Sequence, residues 1–178
     1  SNGGCYSGTF MEYNVRLMIS KNLGVRQYDE MRPLGKDGDF QAPCDTVSEE
    51  YRPFCVLLLP QWWSTSILKD DHSKEAFKKM GDMCHTLSKD IGAAFNTPCF
   101  QGMGLSTGTD PDLTISLCAA SSEKAQEQLA CRSYSAHFTS SLLGVEEGLK
   151  VCKGLTGSDA KYCDSYARDQ TGFFGVNG

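Results

Sequence analysis

Nine cysteines, at positions 5, 44, 55, 84, 99, 118, 131, 152 and 163, are the residues of this 178-residue chain best equipped for chemistry. As thiolates they would be nucleophiles or soft metal ligands; oxidised, they would be cross-links. Structural zinc needs tight C-x₂-C pairs, and no such spacing occurs anywhere in the chain. With Cys5 set aside, the rest form neighbouring couples, 44/55, 84/99, 118/131 and 152/163, with 10, 14, 12 and 10 residues between partners. The second members follow one another at intervals of 44, 32 and 32 residues. A period in the thirties is the mark of a stacked supersecondary unit, usually a helical hairpin.

Other constellations are weaker. Met80, Met83, Cys84 and His85 carry soft and imidazole donors of the kind that suit copper. Helical spacing puts Met80 and Cys84 on one face and turns Met83 and His85 away from it, so the expected metal content is none. Asp37-Gly-Asp39 with Asp45 lacks the order of an EF-hand loop and reads as a turn. Gly104-Leu-Ser-Thr-Gly108 matches the letters of a nucleophile elbow at Ser106, with His137 downstream and Asp110 or Asp112 between. That elbow needs a strand before it, and none is offered here. Glu146/Glu147 and Asp70/Asp71 are adjacent acids, which are usually solvated surface. Gly102-Met-Gly104 has neither the preceding strand nor the third glycine of a phosphate loop. The chain is expected to be no enzyme, with no catalytic residues and no cofactor.

The elements that would position the cysteines are helices. Phe77, Met80, Cys84 and Leu87 recur at i, i+3, i+7 and i+10, one face of a helix. Cys131, Tyr134, Phe138 and Leu142 form a second such stripe, and Tyr6, Phe10, Tyr13 and Leu17 a third. Ser73, Asp110 before Pro111, Thr97 before Pro98, and Ser158 are candidate starts, while Gly144, Gly154 and Gly157 are candidate stops. Each couple would then join the end of a first helix, A, to the start of a second, B. A short turn brings such positions within the Cα separation of about 4.4–6.8 Å that a disulfide needs. The expected bridges are Cys44–Cys55, Cys84–Cys99, Cys118–Cys131 and Cys152–Cys163, each stabilising by roughly 3 kcal/mol in the loop-closure account. Eight cysteines allow many other pairings, and spacing alone does not exclude them.

Cys5 is unpaired or joined to another segment. Gly4-Cys-Tyr-Ser-Gly-Thr-Phe-Met-Glu-Tyr13 resembles Pro98-Cys-Phe-Gln-Gly-Met-Gly104, each with an aromatic one residue and a glycine three residues after the cysteine. Cys5 therefore occupies the second-member position of a repeat whose first helix is missing. It is either a free buried thiol or the partner of an upstream segment or another chain.

The expected fold is all-α, a short array of antiparallel helical hairpins, each closed by a local disulfide. One repeat domain would cover 1–178, with an irregular loop at about 23–43, regular repeats at about 73–170 and a loose tail over 171–178. Over residues 73–170 this arrangement is similar in architecture to the disulfide-stapled Sel1-like and Helicobacter cysteine-rich repeats. That resemblance implies two antiparallel helices per unit and service as an interaction scaffold; it carries over no functional residues.

Composition agrees. Hydrophobic residues make up 40% and charged residues 22%, enough for a packed core and too apolar for a disordered chain. Net charge is −5, with 11 basic and 12 acidic residues before position 90 and 6 and 10 from there on, so nucleic acid is not an expected partner. The longest apolar run, Phe54 to Leu59, is far too short to span a bilayer. No basic-then-apolar leader opens the sequence, which reads as a mature or trimmed product. Paired cysteines imply an oxidising compartment: extracellular, cell surface or periplasmic. No asparagine begins a usable N-x-S/T acceptor, which leans towards a prokaryotic envelope.

The expected function is a non-catalytic structural or protein-binding repeat module, part of a larger assembly or bound to a protein partner. Trp62, Trp63, Phe173 and Phe174 are its candidate partner-binding residues, since aromatics favour binding hot spots. Two other readings are a small apolar ligand carrier, with Trp62, Trp63, Phe54 and Phe77 around a cavity, and a periplasmic copper-binding protein.

Overall fold

A computed structural model describes residues 9–10 and 40–169 of the chain. Cys5, Phe173, Phe174, most of the expected 23–43 loop and the tail over 171–178 lie outside those residues. From residue 52 onward every regular element among the described residues is helical. They are α1 (Arg52–Trp62), which runs into a π-helical turn over Trp63–Ile67, then α2 (Lys74–Ile91) and α3 (Asn96–Gly104). After these come α4 (Pro111–Ser121), α5 (Ala125–Leu143), α6 (Val145–Val151) and α7 (Gly157–Arg168).

Local chemistry accounts for most of the boundaries. The Ser73 hydroxyl accepts the Ala76 amide at 3.1 Å and starts α2, and Gly92, at φ +128°, ends it. Asp110 accepts the Leu113 amide at 3.0 Å, and Pro111 begins α4 where its missing N–H costs nothing. Gly144, at φ +96°, turns the chain from α5 into α6. Two expected starts shift. The helix holding Cys163 is preceded by Thr156 rather than capped by Ser158, and α3 is entered through a 3₁₀ turn at Ala93–Phe95 rather than at Thr97. In the second case Phe95 is buried against the core and fixes the entry before the proline is reached.

The helices form two layers. The B helices α1, α3, α5 and α7 pack in series, each on the next, and the A helices α2, α4 and α6 pack in series opposite them. Contacts α2 with α3, α4 with α5 and α6 with α7 close the hairpins. Bridges Cys44–Cys55, Cys84–Cys99, Cys118–Cys131 and Cys152–Cys163 join the layers, with Cα separations of 5.6, 5.7, 5.7 and 5.7 Å. The first cysteine does not always end a helix: Cys44 lies in a run of turns, Cys84 sits about two turns before the end of α2, and Cys152 follows α6. The first unit thus has a turn-rich segment where later units have an A helix.

The core runs through both layers. Phe77, Met80, Cys84 and Leu87, the stripe read from spacing, are fully buried against Trp63, Phe100, Met103 and Leu117. Each such side chain contributes on the order of 1.5–3 kcal/mol of transfer free energy. Trp62 and Trp63 are 3% and 0% exposed, so the expectation of an aromatic anchor for a partner at these positions is corrected. The Trp63 indole donates to the Phe40 carbonyl at 2.7 Å and meets the Phe40 ring edge-on. Residues 40–47 cover the side of α1 that an isolated hairpin would leave in water, and so bury the second indole. Pro60 stays inside the helix, and the ladder widens just beyond it, with Leu68 N–H reaching Trp63 O at 2.9 Å.

Repeat-to-repeat distance is set by glycine. A Cβ on Gly102 would stand 2.1 Å from the Leu57 carbonyl oxygen, at the crossing of α3 and α1. One on Gly81 would stand 1.8 Å from the Ser121 oxygen, where α2 crosses the end of α4. Gly104 against Cys131 O, at 2.3 Å, does the same between α3 and α5. At these three crossings the helices pack backbone to backbone, closer than any side chain permits. Gly102→Ala and Gly81→Ala are each expected to destabilise the oxidised protein by about 2–3 kcal/mol in guanidinium unfolding. Gly108→Ala, with open space around it but φ +79°, should cost only about 1 kcal/mol.

Candidate functional site

Stacked repeats present equivalent positions side by side, and one groove of the B layer shows this. It measures about 410 Å³ and is lined by Thr97 of α3, by Gln126, Leu129 and Ala130 of α5, and by Ser158, Asp159 and Tyr162 of α7. Counted from the second cysteine of each couple, Thr97 and Leu129 are both at −2, Gln126 and Ser158 at −5, and Ala130 and Tyr162 at −1. The groove crosses three consecutive units in register. Leu129 and Ala130 form a buried apolar floor, while Thr97, Gln126, Ser158 and Tyr162 are exposed. Tyr162 is 41% exposed, one of few large apolar-bodied side chains left in water among the described residues.

Tyrosines continue the same face. The Tyr162 and Tyr166 rings lie 5.0 Å apart with their hydroxyls 3.2 Å from each other, and Tyr134 of α5 stands 6.1 Å from Tyr166. Gln101 of α3 donates to the Tyr166 hydroxyl at 3.3 Å. Burial pushes the Tyr134 phenol up to about 12, and burial with the neighbouring tyrosine raises Tyr166 as well, so both stay neutral. Beneath them His137 donates from Nδ1 to the Tyr166 carbonyl at 3.2 Å, because a carbonyl can only accept.

The seam between the two layers carries a different construction. Glu127, 6% exposed in the first turn of α5, gathers donors from three places. His85 Nε2 of α2 lies 2.7 Å from Oε2, Asn96 Nδ2 of α3 2.8 Å from Oε1, and Lys124 Nζ 3.1 Å from Oε1; the Ser122 hydroxyl also donates to Oε2. Burial by itself would raise this carboxyl; the hydrogen bonds from Ser122, His85, Asn96 and Lys124 outweigh it and hold the pKa at about 2, down from 4.5. A cleft of about 360 Å³ opens beside the cluster, lined by Lys78, Asp82 and His85 on one side and residues 119–124 on the other. Ser122 and His85 both bind the same carboxylate oxygen, and the Ser122 hydrogen points to the acid rather than to an imidazole. The group is built to hold a charge between repeats; it has no base–nucleophile pair.

The remaining candidates are dispersed. Ser106 is buried just past the end of α3, with a helix rather than a strand before it. Cys84 is in a disulfide, Met80 and Met83 are buried, and His85 is held by Glu127, so the four copper-type donors are engaged elsewhere. Among the described residues no group of three or more His, Cys, Asp or Glu is placed to hold a metal ion. Trp62, Trp63 and Phe77 belong to the main core and line neither of the two openings. Glu147 pairs with Lys150 at 2.6 Å on the surface, and Asp70 and Asp71 lie exposed in a turn. No helix among the described residues is long and apolar enough to cross a membrane.

Sequence reasoning missed Glu127 and the groove. Glu127 extends the stripe of Cys131, Tyr134 and Phe138 one turn backward, and an acid on an apolar stripe is the signal that was there to read. No protein-family model, curated protein or solved structure matches the chain.

Glu127 makes stability depend on pH. Its folded pKa lies below the ordinary value, so its contribution is fully present above about pH 4.5 and is lost as pH falls towards about 2. Wild type should therefore lose more stability than Glu127→Gln between those limits, while at pH 7 the variant should be the less stable of the two. Urea unfolding at several pH values checks both.

Proposed function

We infer that the chain is a non-catalytic repeat module of an oxidising, extracytoplasmic space, and that it binds a protein partner through its B layer. The observation that carries this reading is the groove that crosses three successive repeats and is lined by positions that neighbouring repeats share. A surface that recurs in register with the repeat suits an extended or helical segment of another chain better than a small compact molecule. Four local bridges support the oxidising setting, which takes in the extracellular space, a cell surface or a periplasm. The likeness to Sel1-like and Helicobacter cysteine-rich repeats is one of architecture and points the same way, to a scaffold. In the Glu127 cluster, acid, imidazole and hydroxyl are spent on holding two repeats together, which favours a binding role over a catalytic one.

The test is selection of dodecapeptides displayed on phage against the oxidised protein. Gln126→Trp and Ser158→Trp, both at exposed groove positions, should weaken the selected peptides by about tenfold, and Lys78→Trp on the A layer should not. Peptides indifferent to the groove variants, or a selection that returns no binders, would overturn the reading.

A further inference from the structure

The groove has a charge character as well as a shape. Asp159, in the first turn of α7, is its one charged lining residue among the described residues. Its other polar groups are the hydroxyls of Thr97, Ser158 and Tyr162 and the amide of Gln126, each with an oxygen that can accept. Among the described residues no lysine, arginine or histidine lines it. On the same helix, Tyr162 stands three residues after Asp159, so carboxylate and ring share a face. The Tyr162 ring is packed against Tyr166 and its hydroxyl meets the Tyr166 hydroxyl, which holds the phenol in place beside the apolar floor. A carboxylate, a π surface and an apolar floor in one opening match a long cationic side chain: stem on the floor, charge at the acid, head beside the ring.

We propose that this groove seats an arginine side chain of the partner segment, with Asp159 as its counter-ion and Tyr162 as its stacking surface. The proposal rests on the reading of the B layer as a partner-binding face and names the chemistry that face selects. Arginine fits better than lysine because its planar guanidinium can take a carboxylate with two parallel hydrogen bonds and stack on a phenol at the same time. The net charge of −5 adds a long-range pull on a basic segment.

The experiment is a titration of ¹⁵N-labelled oxidised protein, followed by amide shifts. The probes are the capped pentapeptide Ala-Ala-Arg-Ala-Ala and its counterparts with citrulline or glutamate in place of arginine. Citrulline keeps the shape of arginine and removes the charge. The arginine peptide should move amides around 126–130 and 157–163 saturably and bind about fivefold more tightly than either counterpart. Asp159→Asn and Tyr162→Ala should each weaken it by a similar factor, and Asp112→Asn, an exposed acid on the A layer, should not. If citrulline binds as well as arginine at the same amides, or Asp159→Asn changes nothing, the cationic assignment falls while the groove stands. If none of the peptides moves those amides, the groove reading falls too. Because the citrulline comparison needs only the wild-type protein, the outcome does not depend on any variant folding.

Discussion

Four times along the chain, a disulfide holds the backbone of one segment 5.6–5.7 Å from the start or middle of a B helix. The other features of the fold depend on that constraint. A hairpin fixed at one point cannot slide, so its two apolar stripes face each other in a single register. A segment of 7 residues such as α6 would be marginal by itself; with Cys152 bridged to Cys163 directly after it, it keeps its place. Arg132 of α5 adds to the hold by donating to the Val151 carbonyl at 3.0 and 2.6 Å and to the Lys153 carbonyl at 2.7 Å, which supplies partners at the end of that short helix.

Once the hairpins are fixed, the remaining freedom is how they stack. Glycine decides the distance, at the Gly102, Gly81 and Gly104 crossings, and Glu127 decides the registry of the second and third units. Two kinds of surface result. At the seam between the layers, polar groups of α2, α3 and α5 are turned inward and satisfied by one another around the buried acid. On the outer side of the B layer, tyrosines and small polar residues are left facing water over an apolar floor, and the binding proposal rests on that groove.

How far each feature could be read from the sequence follows the range of the interaction behind it. The helix over Lys74–Ile91 and its Ser73 cap were readable because cap and stripe are local. The cysteine couples were readable because each bridge closes a short loop. Trp62 and Trp63 were not, because burying the second indole depends on Phe40, 23 residues away. The A–B layering depends on which helix meets which, and the same spacing would suit several stacking orders. Thr97 and Ser158 look like caps in isolation, yet buried Phe95 and the turn at Thr156 set those starts instead. The groove could be stated only after the stacking was known, although its positions at −5, −2 and −1 from each cysteine were present in the sequence.

The helix α5 touches α3, α4, α6 and α7 and borders both apolar clusters, the larger through Ala130 and Cys131 and the smaller through Leu129 and Ala136. In a stack where each unit leans mainly on its neighbours, free energy passes along the array one interface at a time. The two halves of this array meet mainly on that helix, with the α4–α6 contact beside it. Its 19 residues are the link through which the two apolar clusters touch, so loosening α5 would weaken both cores at once.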